Sequence, residues 1–152
     1  MALRQIREEG EEILRKKSRE VEIDEITGEK IQNLIDDMIE TMRVNDGAGL
    51  AAVQVGILKR IIVVEVENTK LELINPVIVE QEGSQICEEG CLSLPNQFYN
   101  VKRPKKIKVK ALDRNFNEVE IEAEGLLAVV LCHEIDHLDG ILFIDKLYKG
   151  EE

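Results

Sequence analysis

Apolar residues recurring at spacings of three and four mark two strong helices, and short apolar runs between them mark strands. Ile31, Leu34, Ile35, Met38, Ile39 and Met42 line one stripe of a helix that starts near Thr27. It stops before Asp46-Gly47, residue types that favour helix-ending turns. Ahead of it, residues 1–23 read as an irregular or briefly helical lead-in, with a short helix over 11–20 built on Ile13 and Leu14. Runs 60–66 and 70–74 flank Glu67-Asn68-Thr69 and predict a hairpin, after which Pro76 opens a further apolar run through Val79. Runs 106–112 and 118–123, joined by Asp113-Arg114-Asn115, predict a second hairpin. The second strong helix covers about 125–137, with Gly140 just past its end, where glycine is favoured. Its opening, Leu126 through Leu131, is apolar all round, the mark of a buried helix. Helix, mixed or antiparallel β section, helix is an α+β order without repeats or linkers.

A length of 152 residues suits one domain, 1–152, and 43% hydrophobic with 34% charged residues excludes a disordered chain. The net charge of −11 repels phosphate backbones, so no specific nucleic-acid recognition is expected. Segment 101–110 runs against that charge with Lys102, Arg103, Lys105, Lys106, Lys108 and Lys110. Because Lys106, Lys108 and Lys110 alternate with Ile107, Val109 and Ala111, it reads as a strand with a solvated face rather than a docking patch for an anionic partner. The charged N-terminus has no signal-peptide core, and no apolar run reaches the ~18 residues that span a membrane. Three cysteines without a secretory signal point to reduced thiols in the cytoplasm.

The chemistry concentrates in His133-Glu134-Ile135-Asp136-His137, an HExxH sequence on the second helix. Residues four apart share a helix face about 6 Å apart along the axis, so two imidazoles there can bind one ion. Glu134 sits beside that ion without binding it and can take a proton from an attacking water. The chain has only two histidines, and both are in this motif. A hydrolytic site therefore needs its third ligand from Cys, Asp or Glu, and an open position. Cys91 is the best candidate, because Gly90 permits close backbone approach, whereas Cys132 adjoins His133 and points ~100° away. Cys87 and Cys132 otherwise read as small buried thiols. In the glycine-rich segment Gly47 to Gln54, Gln54 is a polar group among apolar neighbours, and its amide can donate to a developing oxyanion. Leu126, Val129, Val130 and His133 share one helix face that can wall an apolar pocket.

Three segments, Gly47 to Gln54, Glu89 to Ser93 and His133 to His137, match in order the forms GxGLAAxQ, EGCLS and HExDH. In these the chain resembles the peptide deformylase family over nearly its whole length. The resemblance implies mixed or antiparallel sheets around a central C-terminal helix carrying HExxH. It implies removal of the formyl group from the N-terminal methionine of new polypeptides, releasing formate. The ligands would be Cys91, His133 and His137, with water in the fourth position and Glu134 moving the proton. Gln54 and the Leu92 backbone N–H would donate to the formyl oxygen, and Ala48, Gly49 and Cys87 would join the methionine pocket of Leu126, Val129 and Val130. The implied cofactor is one divalent ion, ferrous iron in the cell, with zinc or nickel as replacements. Arg103 is expected to pair with Glu89 and hold the cysteine loop. The lead-in departs from the family's GDPxLR, reading Gly10-Glu11-Glu12-Ile13-Leu14-Arg15. The expected partners are formyl-methionyl peptides. Transient ribosome association stays open, because the chain ends at Glu152 where many members carry a longer docking helix.

Two other readings fit parts of the pattern. A small HExxH peptidase would take a downstream ligand, for which only Asp139, Asp145, Glu151 and Glu152 remain. A closed, non-catalytic metal site would leave Glu134 and Gln54 without a role.

Overall fold

The structure, a computed structural model, describes residues 2–150; Met1, Glu151 and Glu152 lie outside them. The first helix, α1, spans Glu29–Val44 and buries Ile31, Leu34, Ile35, Met38 and Met42, with Ile39 at the edge of the stripe. It begins two residues later than the pattern suggests, because Gly28 is still extended at φ −71° and ψ 155°. The lead-in is less helical than expected: the short helix over 11–20 reduces to a single 3-10 turn, Glu12–Arg15.

Five strands form an antiparallel sheet in the order β1-β2-β3-β6-β7: β1 is Gly49–Ala51, β2 Ile61–Val66, β3 Thr69–Glu82, β6 Lys106–Leu112 and β7 Glu118–Glu124. A separate antiparallel pair joins β4, Gln85–Cys91, to β5, Leu94–Arg103. The second helix, α2, spans Leu126–Leu138. β2 explains the unbroken apolar run Ile61 to Val64: Ile61 and Val63 pack with α1, whereas Ile62 and Val64 pack with α2. β2 is thus buried on both faces. Full burial of a side chain such as Leu131 contributes about 2 kcal/mol.

Three expectations need correction. The run after Pro76 is not a new strand but the continuation of β3, with a register shift between Ile74 and Val77. Asn75, at φ 55°, and Pro76, which has no N–H to donate, occupy the bulge. Segment 101–110 is not one strand: Pro104 separates the end of β5 from the start of β6. On β6 the lysines do face outward, opposite glutamates, with Lys108 Nζ 3.4 Å from Glu80 and 3.7 Å from Glu120. The positive stripe is therefore interleaved with negative charge rather than left open for an anionic partner. Finally, β1, β4 and β5 are strands that the pattern does not mark: β1 is three residues long and buries Leu50 and Ala51 in the two cores, while β4 and β5 turn Cys87, Gly90, Pro95 and Phe98 to a cleft. Among the described residues no helix is long and apolar enough to cross a membrane.

Candidate active site

Helix α2 runs buried beneath the central sheet and carries His133 and His137 one turn apart, their ring centroids separated by 5.0 Å. Cys91 arrives from the end of β4, just after a register shift between Glu89 and Cys91 that turns the strand. The ligating atoms of Cys91, His133 and His137 all lie within 4.8 Å of one another. Cys91 Sγ is 3.3 Å from His137 Nε2, close to the ~3.5 Å edge of a tetrahedral thiolate–imidazole site.

His133 is held from behind. His133 Nδ1 is 2.9 Å from Glu89 Oε1. Burial pushes the Glu89 carboxyl up, but Arg103 and His133 outweigh it and hold it below its ordinary value. An ionised carboxylate only accepts, so Nδ1–H points at Glu89 and Nε2 is the ring atom that faces the cluster. Arg103, 3% exposed, donates to both Glu89 oxygens at 2.8 and 2.9 Å and to Asp136 at 2.7 Å, as expected for Glu89. Phe143 stacks on His133 with centroids 5.8 Å apart.

Glu134 is 4% exposed and lies at the floor of the cleft, with Oε1 lacking a hydrogen-bond partner. Burial pushes its carboxyl up to about 7, the range of a working general base. A Cβ on Gly49 would come within 2.7 Å of Glu134 Oε2, so glycine lets β1 approach the carboxylate. Gln54 is also buried; its Oε1 accepts from Ala51 N at 2.9 Å, and its Nε2 lies 3.1 Å from Ser93 Oγ and 3.5 Å from Cys91 Sγ. That arrangement commits the carbonyl to the backbone and turns the N–H groups toward the cluster.

These side chains meet at a cleft of about 680 Å³, within the range of small-ligand sites. Ala48, Gly49, Cys87, Leu126, Val129 and Val130 all line it, as does Leu92 at the tip between β4 and β5. Val130 also belongs to the core beneath the sheet, whereas Leu126 is 52% exposed at the rim. Cys132 points into the core instead, and burial pushes its thiol up to about 11. Asp139 is paired with Arg60 and Asp145 with Arg15, so neither joins the histidines. Glu151 and Glu152 lie outside the described residues. The roles of Ser93, Asp136 and Phe143 escaped the sequence reading; Ser93, inside EGCLS, and Asp136, inside HExDH, carried a local signal, and Phe143 none.

The orphaned buried oxygen of Glu134 and a cysteine–imidazole donor set fit a divalent metal ion. An α+β chain with HExxH on a buried helix, a cysteine donor and an adjoining cleft defines a metallohydrolase. Residues 3–152 match the family model described as polypeptide deformylase. The peptide deformylase of Acetivibrio thermocellus is 56% identical over 149 residues, covering 98% of this chain and 86% of that protein. The crystal structure of the Thermotoga maritima peptide deformylase superposes with a TM-score of 0.91 at 43% identity, covering 97% of this chain and 99% of that one. That of the Ehrlichia chaffeensis peptide deformylase in complex with actinonin gives 0.92 at 42% identity, over 98% and 91% of the two chains. The chain belongs to the peptide deformylase family: it is a hydrolase that removes the N-formyl group of nascent polypeptides.

Proposed function

We propose that residues 1–152 act as one catalytic domain in which Cys91, His133 and His137 hold a single ion, ferrous iron in the cell. The observation that carries this reading is the convergence of those donors within 4.8 Å beside the unpartnered carboxylate oxygen of Glu134. A bound divalent ion supplies Lewis acidity, which makes water nucleophilic near neutral pH. Glu134 accepts the proton of the attacking water as its oxygen adds to the formyl carbon. Gln54 Nε2–H and the Leu92 backbone N–H donate to the formyl oxygen as charge gathers there. Glu134 then returns the proton to the nitrogen as the C–N bond breaks, leaving formate and a free amine. Val129, Val130, Leu126, Cys87, Ala48 and Gly49 receive the methionine side chain. Free thiols at Cys87, Cys91 and Cys132 suit a reducing cytoplasm, where nascent chains are made.

Three expectations test the donor set, the metal and the pocket. Cys91→Ala should lose the bound metal, whereas Cys132→Ala, in the core, should keep it; elemental analysis of both purified variants decides, and the opposite pattern rejects the assignment. Ferrous iron beside an open position and a thiolate is exposed to oxygen, and oxidation of the metal or of Cys91 breaks the site. Enzyme loaded anaerobically with iron should therefore deformylate formyl-methionyl peptides fast and decay in air, while the nickel form persists. Formyl-aspartyl peptides should be poor substrates, because an unpaired charge is costly in an apolar pocket. One batch loaded with iron, nickel or zinc and assayed on both peptides before and after aeration makes the comparison. Equal rates on the two peptides reject the pocket, and an air-stable iron form rejects the redox argument.

A further inference from the structure

The two donors proposed for the formyl oxygen belong to different sheets. Gln54 sits on the 3-10 turn Ala52–Val55 that follows β1, and Leu92 at the tip between β4 and β5. Their spacing decides whether both N–H groups can reach one oxygen. Among the described residues no backbone hydrogen bond joins the turn to the tip directly. The lead-in supplies the link: Arg7 N donates to Gln54 O at 2.7 Å, and Glu9 N donates to Ser93 O at 2.8 Å. With Gln54 Nε2 at 3.1 Å from Ser93 Oγ, these contacts close a ring through both segments. Further contacts fix the lead-in itself. Arg4 N donates to Thr41 Oγ1 on α1 at 3.0 Å, and the Arg4 guanidinium pairs with Asp37 at 2.9 Å. The Arg7 guanidinium lies against Gly56, the left-handed residue at φ 88° that ends the Gln54 turn, where a Cβ would come within 3.1 Å of Nη2. Glu9 Oε1 accepts from Gln97 Nε2 on β5 at 3.0 Å. None of residues 2–10 is buried, so the ordered contacts of this run go to α1, the turn and the tip rather than to a core.

We propose that residues 7–9 are a positioning strap that holds the Gln54 turn and the Leu92 tip at the spacing the oxyanion requires. The inference rests on Gln54 and Leu92 being the donors to the formyl oxygen, and it assigns what aligns them. A donor stabilises developing charge only if its place is fixed before the reaction, and a misplacement of about 1 Å can cost about 10²-fold in rate. The bond from Ala51 N to Gln54 Oε1 fixes the amide within its own segment and does not relate that segment to the second sheet. The contact to Ser93 Oγ does relate them, but it engages the same NH₂ group that must serve the substrate. The strap holds both segments from behind, through their backbone carbonyls, and leaves that group free to donate. It touches neither the clustered metal donors nor Glu134, so its effect falls on the rate and not on metal binding.

The test removes one strap N–H at a time from the metal-loaded full chain and measures kcat and KM on a formyl-methionyl tripeptide, with metal content and thermal midpoint from the same preparations. Arg7→Pro and Glu9→Pro each delete a donor and should lower kcat about tenfold while KM stays within about twofold, the mark of a contact made in the transition state. Gln5→Pro stiffens the same run where the N–H meets no acceptor in the protein, and should keep its rate within about twofold. The α-hydroxy acid analogues of Arg7 and Glu9, which replace the N–H by an ester oxygen at unchanged side chain, should reproduce the losses and stand in for a proline variant that does not fold. The deciding comparison is a double-mutant cycle. Gln54→Ala should lower kcat about 10²–10³-fold, and in that background Arg7→Pro should cost no more than about twofold, because the donor it aligned is gone. An unchanged kcat in the proline and ester forms overturns the strap and leaves the Gln54 assignment standing. So does an equal fold-loss with and without Gln54, or a loss that follows metal content or thermal midpoint. A Gln54→Ala variant with near-normal kcat overturns the donor reading, and the strap with it.

Discussion

Glu134→Gln should keep its metal and lose turnover by about 10²–10⁴-fold, the usual loss when a general acid–base group is removed. The substitution is close to isosteric, and the side chain it replaces is 4% exposed in a tightly built site. Glu134 is not one of the three clustered donors, so Cys91, His133 and His137 stay in place. What the amide lacks is the ability to take a proton from water and return it to the leaving nitrogen. Its oxygen still accepts hydrogen bonds, so binding of a formyl-methionyl peptide should change far less than kcat. Metal content, kcat and KM measured on one preparation separate these effects. Near-normal kcat with metal bound would remove Glu134 from the proton pathway, and a metal-poor variant would make it part of the donor set instead.

Legibility in the sequence followed burial. α1 and α2 were readable because each presents apolar residues to a core at helical spacing, and β2 with the start of β3 because both are apolar runs around a turn. β4 and β5 were not, although they hold Cys91 and Arg103, because Gln85 to Cys91 mixes carboxylates, cysteines and glycine. Those residues face a cleft and an ion pair, so their order reflects chemistry rather than alternation between core and solvent. The same division runs through the site. His133, Glu134 and His137 are legible from local spacing on one helix, and Cys91 from its glycine neighbour. The contact from Arg103 to Asp136 spans 33 positions, and that from Gln54 to Ser93 spans 39, so no local pattern reports either. Phe143 lies beyond the end of α2 and reaches His133 only because the chain turns back after Gly140.

Arg103→Met should cost about 3–5 kcal/mol of stability and weaken metal binding about 10–100-fold, two effects with separate causes. The first is electrostatic. Arg103 is 3% exposed and spans the carboxylates of Glu89 and Asp136; methionine of similar volume leaves the buried Glu89 charge without its cation, while Asp136 keeps Lys146 at 3.1 Å. Set against a total stability of about 5–15 kcal/mol, the loss would be plain in denaturant unfolding of the metal-free protein. The second is geometric. Glu89 Oε1 orients His133 through Nδ1, and Arg103 fixes Glu89, so without it the imidazole loses its aim. Arg103→Lys tests the fork itself: an ammonium is a single point charge and cannot serve two oxygens of Glu89 and one of Asp136 together, so it should recover only part of both losses. Arg103→Met combined with Glu89→Gln removes that uncompensated charge. It should regain stability over Arg103→Met alone while leaving metal affinity low, because the amide is a weaker anchor for His133 than a carboxylate. Chelator competition on folded protein measures the affinity. Wild-type metal affinity in a folded Arg103→Met variant would show that Arg103 stabilises the fold without positioning His133.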